Sequence, residues 1–224
     1  MRFDLHVHSC YSKDSNASID DIIESASRNG LDGFAICDHD TIEGSVACIK
    51  RAKEISSSLI IIPGQEVSSS GGHILVLGIC DKIESGLSPQ ETIKKARQLG
   101  GVVIIPHPFK VTSHGIGYLE GLDVDGVEVL NSRCVTDGPN NKAEKAAHEM
   151  GFSMVGGSDS HEAQMVGRSY TELTVSVKNI DEVLDAIRNG HTRPRGCKTP
   201  VYFVLRQMLI GHINKLSKKL KGKV

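Results

Sequence analysis

Residues 1–40 read MRFDLHVHSCYSKDSNASIDDIIESASRNGLDGFAICDHD, and this stretch decides the fold. The run Phe3–Val7 predicts a short strand. Ser18 and Asp20 can cap a helix that runs to Asn29 and stops at Gly30. Gly33–Cys37 then predicts a second strand. A strand, a covering helix and a second strand in succession form the unit from which helix-covered parallel sheets are built.

The alternation continues along the chain. Strands are expected at Leu59–Pro63, His73–Cys80, Val102–Pro106, Gly126–Leu130, Ser153–Val155 and Tyr170–Val175. Between them, Thr41 can cap a helix reaching Ile55. Ser88-Pro89 followed by Gln90-Glu91 opens another, which Gly100-Gly101 ends. Asn140–Met150 and Ile180–Asn189 follow the same pattern, and Gly190 closes the second. Seven or eight strands suit a closed barrel better than a small open sheet.

Composition narrows the classes. Of 224 residues, 39% are hydrophobic and 24% charged, with no Trp, so a core would be aliphatic. No apolar run approaches the roughly 20 residues of a membrane helix. The N-terminus lacks the apolar centre of a secretory leader, and a cytoplasmic location is expected. The six cysteines (Cys10, Cys37, Cys48, Cys80, Cys134, Cys197) include no CxxC pair. They read as small buried residues of a reducing compartment; Cys10 and Cys37 lie beside the motifs below but are not assigned as ligands. The net charge of −1 hides an asymmetry: residues 191–224 carry nine Lys or Arg and no acid, while residues 1–190 hold 17 basic and 27 acidic residues. The expectation is one α/β barrel domain over residues 1–200. A basic amphipathic C-terminal helix (201–224), packed on the barrel by the face of Val204, Leu205, Met208, Leu209, His212, Ile213, Leu216 and Leu220, would follow it.

The histidines carry the chemistry. Six of the ten fall in or beside strand ends, mostly with carboxylates for company. Asp4-Leu5-His6-Val7-His8 places two imidazoles on one side of a strand, because alternate residues point the same way. Asp38-His39-Asp40 follows the second strand. Gly64-Gln65-Glu66, Gly71-Gly72-His73, Pro106-His107-Pro108 and Gly156-Gly157-Ser158-Asp159-Ser160-His161 complete the set. Each motif alone is weak. Together they would leave many buried ring nitrogens unpaired unless something binds them. His and carboxylate donors without cysteine suit Zn²⁺, Mn²⁺ or Fe²⁺, and the number of donors implies two or three divalent ions.

The motifs DLHVHSCYS, DHDTIEG, GQEVS, GGHIL, PHP and GGSDSH, in this order, resemble the PHP (polymerase and histidinol phosphatase) family, and in particular its stand-alone phosphoesterases, including those acting on nucleotides. The resemblance spans residues 1 to 175 or so. It implies a distorted seven-stranded β/α barrel and a three-metal site. His6, His8, Glu66 and Asp159 would hold one ion; Glu66 would bridge to a second held by His73 and His107. His39 and His161, with Asp14, would hold a third. Water activated by the ions would attack the phosphorus, with Asp38 and Asp40 orienting ligand imidazoles or capping the next helix. Lys110, Asn131, Arg133 and Arg168 are the candidates for holding substrate phosphate. His114 stands in a Gly-rich loop, and His148, His191 and His212 receive no role.

The activity expected is hydrolysis of a phosphoester in a small metabolite, such as a nucleotide or an oligonucleotide end. Two alternatives stand beside it: a histidinol-phosphate phosphatase, and a non-catalytic, metal-stabilised module that binds nucleic acid or a polymerase through its basic tail. No stable membrane insertion is expected.

Overall fold

Most of the expected strands and helices form where the patterns place them, and the computed structural model describes residues 1–206. In chain order the elements are β1 (Arg2–Val7), α1 (Ile19–Arg28), β2 (Gly33–Ile36), α2 (Glu43–Glu54), β3 (Ile60–Ser69), β4 (Gly72–Leu77), α3 (Pro89–Gln98), β5 (Val102–Ile105), β6 (Gly126–Asn131), α4 (Gly138–Met150), β7 (Ser153–Gly157), β8 (Ser169–Leu173), α5 (Ile180–Arg188) and β9 (Thr192–Gly196).

Local chemistry sets the helix starts. The Ser18 hydroxyl accepts from the Asp21 amide at the head of α1, whose Ile22, Ile23 and Ala26 face the core. Ser88 and Glu91 make a reciprocal capping box behind Pro89 in α3. At α5 the Asn179 side chain accepts from Glu182 N. The expected Thr41 cap is not used: α2 starts after Ile42, which makes no side-chain cap bond. Thr41 Oγ1 instead accepts from Glu43 N at 3.2 Å. Asp40 turns the chain through a positive φ of 57° just before it, which delays the helix.

The strands join in the order β7-β6-β5-β4-β3-β2-β1-β8-β9. β1 through β7 follow chain order, and β8 and β9 extend the sheet beyond β1. β1 meets the chain leaving β7: Val7 bridges Ser160, just past β7, in parallel, and His8 N donates to Ser160 O at 2.9 Å. Thr171 of β8 spans the remaining gap, its hydroxyl accepting from Gly156 N and donating to Gly156 O. The result is an α/β barrel-like sheet of nine strands.

The sheet is mixed where an all-parallel one was expected. β3 pairs antiparallel with β4, β4 with β5, β1 with β8 and β8 with β9. Only Ser70 and Gly71 separate β3 from β4, far fewer than a parallel crossover needs. β3 also runs on to Ser69, so Glu66 lies within a strand and not in the connection after one. β9 had no periodic signal; its sequence TRPRG, with Pro194 inside it, suits an edge strand.

Three apolar clusters hold the layers. Val7, Ile22, Ile23, Phe34 and Ile36 pack β1 and β2 against α1 and α2. Val76, Val103, Val127, Ile93 and Ala147 join the β4–β6 wall to α3 and α4. Phe3, Leu5, Ile62, Leu77 and Ile104 meet Val183 and Ile187 of α5. Residues 201–206 are helical, with Val204 buried. The rest of the expected C-terminal helix, including Lys215, Lys218, Lys219, Lys221 and Lys223, lies outside the described residues. Among the described residues no helix is long and apolar enough to cross a membrane.

Candidate metal centre

One end of the barrel gathers all nine residues named as ligands. His6 and His8 come from the end of β1, His39 follows β2, His107 follows β5, and Asp159 and His161 follow β7. His73 stands at the start of β4, and because β4 runs antiparallel its start reaches the same end. Asp14 comes from the loop between β1 and α1.

Glu66 is the centre of the arrangement. Its Oε1 lies 2.9 Å from His73 Nδ1 and 3.2 Å from His107 Nε2. Its Oε2 lies 3.2 Å from His39 Nδ1, 3.3 Å from His8 Nε2 and 3.5 Å from His6 Nε2. Asp159 Oδ1 faces His8 Nε2, His161 Nδ1 and His6 Nε2 at 3.5, 3.6 and 3.7 Å. Asp14 Oδ2 sits 3.1 Å from His161 Nε2 and 3.4 Å from His39 Nε2. His6 and His8 bring their Nε2 atoms to 3.1 Å of each other. Positive φ angles at His107 (32°) and Asp159 (51°) turn these side chains inward, a strained backbone that the surrounding bonds hold in place.

These spacings fit divalent ions. Nitrogen or oxygen donors set tetrahedrally at 2.0–2.1 Å from an ion stand roughly 3.3 Å apart, close to most of the distances above. Donor atoms of His6, His8 and Asp159 converge, as do those of His6, Glu66 and His107, of His39, Glu66 and His73, and of His8, His39 and His161. Buried Nδ1 atoms of His8, His39, His73 and His107 have no hydrogen-bond partner. For His39 and His73 that atom lies beside Glu66 without the alignment of a hydrogen bond, as donors sharing a cation do.

The electrostatics keep the acids ionised. Burial alone would raise Glu66, but the nearby His73, His39 and His6 and a bond from His107 hold it well below the usual carboxylate range. Asp159 is likewise held down despite burial, by Arg133, Lys110 and His6. At Asp14, bonds from His161 and His39 outweigh burial and lower the carboxyl. Burial, then Arg133 and His8, push His161 down to about 3.

The remaining candidates divide. Lys110 Nζ donates to Asp159 Oδ2 at 3.3 Å and Asn131 Oδ1 at 3.4 Å. Arg133 NH1 donates to Asp159 Oδ1 at 3.2 Å and stands 3.0 Å from His161 Nδ1. Asn131 donates to Asp159 Oδ2 and accepts from Arg133 N. Arg168 points elsewhere: its guanidinium donates to the Lys198 carbonyl at 2.8 Å. Asp38 and Asp40 do not orient imidazoles. Asp38 accepts from Ser9 N and Ser9 Oγ, both at 2.6 Å, and Asp40 from Ser68 N at 2.8 Å. Asp38 thereby pins the turn after His8, and Asp40 ties the turn after His39 to Ser68 of β3. Cys10 is exposed and Cys37 buried. His114 lies exposed in its loop, with its ring stacked on His73 at 5.3 Å.

Two acids had no assigned role. Asp4, pushed up by burial to about 6, accepts from Ser158 N and Gly167 N and ties β1 to the chain around β7. Glu128, 1% exposed within β6, accepts from His6, His107 and Asn131. A carboxylate inside an apolar strand was the one available signal for Glu128.

Comparison with known proteins agrees with this fold. The family model described as PHP-associated matches residues 137–192, from α4 to the start of β9. The uncharacterized protein MJ1587 of Methanocaldococcus jannaschii is 37% identical over 143 residues, covering 59% of this chain and 82% of that protein. Among solved structures, a two-domain protein of Bacteroides vulgatus containing a predicted PHP-like metal-dependent phosphoesterase superposes with a TM-score of 0.70 at 17% identity, covering 88% of this chain and 65% of that one. The lesion-specific endonuclease PfuEndoQ of Pyrococcus furiosus superposes at 0.62 and 20% identity, covering 86% and 57%. The chain thus spans less than two thirds of either solved protein, and at these identities the likeness is one of fold. With the six motifs, the PHP-associated match and a relative of this identity and coverage together, the chain belongs to the PHP family.

Proposed function

We propose that this protein is a metal-dependent phosphoesterase that hydrolyses a small phosphorylated substrate, a nucleotide or an oligonucleotide end. The observation that carries the reading is Glu66, whose two oxygens face five imidazoles from β1, β2, β4 and β5. His6, His8, Glu66 and Asp159 would hold one ion, Glu66, His73 and His107 a second, and His39, His161 and Asp14 a third. Bound Zn²⁺, Mn²⁺ or Fe²⁺ would supply Lewis acidity toward phosphoryl oxygens and an activated water.

The protein's own groups define the approach. His6 and His8 are fully buried, whereas Asp14 is 39% and Arg133 16% exposed. Substrate therefore enters over Asp14, His39 and Arg133. Arg133 and Lys110 both rest on Asp159, close enough to turn toward phosphoryl oxygens, and Asn131 braces both. Arg168, held by the Lys198 carbonyl, is not part of this set. A retired, purely structural site would have lost donors, and every position of the motif set here carries one. The fold shared with a lesion-specific endonuclease keeps nucleic acid among the candidate substrates.

Metal analysis of the purified protein, with a phosphate-release screen over nucleotides, short oligonucleotides and sugar phosphates in Mn²⁺, tests the reading. Release that His39→Ala and Asp159→Asn abolish is expected. A full metal complement with no release from any substrate would instead favour the binding module.

A further inference from the structure

Glu128 joins parts of the site that are far apart in sequence. Its Oε1 lies 3.0 Å from His6 Nδ1. Its Oε2 accepts from His107 N and from Asn131 Nδ2, each at 2.9 Å. The Asn131 side chain is oriented without ambiguity, because its oxygen accepts from the Arg133 amide. Gly157 leaves room for the contact: a methyl there would stand 2.6 Å from both Glu128 Oε1 and His6 Cβ.

We propose that Glu128 is a positioning residue that fixes the tautomer of His6, keeping the proton on Nδ1 so that Nε2 offers its lone pair to the metal site. This deepens the metal reading above and rests on it. A carboxylate only accepts, so the hydrogen bond at 3.0 Å requires N–H at His6 Nδ1. In the neutral imidazole, the form that ligates, a proton held at Nδ1 leaves Nε2, which faces His8, Glu66 and Asp159, with its lone pair free. Through Oε2 the same carboxylate sets the His107 backbone and the Asn131 amide that reaches Asp159.

The two oxygens differ in a way that makes the isosteric substitution informative. In Glu128→Gln the amide oxygen must take the Oε2 position, where two N–H groups point. The amide NH₂ is then directed at His6 Nδ1, which becomes an acceptor. The proton moves to Nε2, the atom that should bind metal. A packing role predicts the reverse order, with Gln the mildest change and Ala the worst.

The test uses the full chain, stripped with chelator and titrated with Zn²⁺ against a competing chelator. Nitrogen NMR of the His6 ring in the metal-free protein, at a pH high enough for the ring to be neutral, is read in parallel. Glu128→Gln should lower affinity about 10–100-fold, at least as much as Glu128→Ala, and should move the proton to Nε2. Glu128→Asp, which keeps an acceptor-only group, should be milder than both. Wild-type-like affinity in the Gln variant, an unmoved tautomer, or a Gln variant milder than Ala would overturn the proposal. A wild-type protein that binds no ion overturns the metal reading instead, and the tautomer measurement then decides on Glu128 by itself. If Gln prevents folding, the Asp-against-Ala order in affinity decides.

Discussion

The floor and the rim of the site are built differently. The floor (His6, His8, Glu66, Asp159) comes from strands or their immediate ends and is buried. The rim (Asp14, His39, His73, Arg133) is partly exposed and, apart from His73, comes from loops. Floor residues are fixed by the same backbone bonds that close the barrel, so disturbing them disturbs the fold. Rim residues meet solvent and can rearrange around a substrate at small cost. On the proposed reading, the floor would hold the innermost ion, and the exposed side of the rim would hold the outer ions where they meet what they act on.

The largest effect should follow from Glu66→Ala. It removes the acid shared by five imidazoles, and loss of one partner from a buried charged set costs about 3–5 kcal/mol. Thermal unfolding and metal analysis should show a lower Tm and lost ions. A variant that kept both would erase the difference between floor and rim.

Chelation of the wild-type protein comes next. An ion held at 100 times its dissociation constant stabilises by about 2.7 kcal/mol, so a marked fall in Tm with EDTA, restored by Zn²⁺ or Mn²⁺, is expected. Acidification of the chelated protein should remove the share of stability that His161 contributes. His161 titrates near 3 in the fold, chiefly through burial, against about 6.5 when unfolded. The unfolded chain therefore binds the extra proton. This stability is present in full above pH 6.5 and is lost as pH falls toward 3, the loss reaching about 2 kcal/mol at pH 5. Denaturant titrations of wild type and His161→Asn at pH 7 and 5 should show a shallower loss in the variant.

On the rim, Arg133→Ala should leave the fold nearly unchanged and slow hydrolysis about 10–100-fold, equivalent to about 1.4–2.7 kcal/mol of transition-state stabilisation. Steady-state kinetics beside a melting curve would check it. The smallest effect is expected from Arg168→Ala, with kcat/KM within about threefold of wild type, under 1 kcal/mol. A large loss there would enlarge the rim beyond the set described.

Much of the site was legible because its signals are local. His6 and His8 share a face through the twofold period of a strand, and His39, His107 and Asp159 follow apolar runs that end visibly. What stayed hidden depends on distance. Glu128 meets His6 across 122 residues, and no spacing within Val127–Asn131 announces it. The β3–β4 hairpin was obscured because Gly64-Gln65-Glu66 interrupts the apolar pattern in mid-strand, where Glu66 is buried in the site and Gln65 is buried against the Ile83 backbone. Arg168 looked like its neighbour cations in sequence; only the path of β9 and Lys198 shows where its guanidinium goes.

The bridge from Val7 to Ser160 has a consequence for how the protein is made. It brings the first histidines of the chain against Asp159 and His161, and closing a loop of this length is entropically costly and late. During synthesis, β1 emerges long before the residues that complete its ion. The emerging segment therefore carries an incomplete donor set that can pick up cations weakly, and tight capture must wait for closure. Metal retention would thus report that β1 and the end of β7 have met.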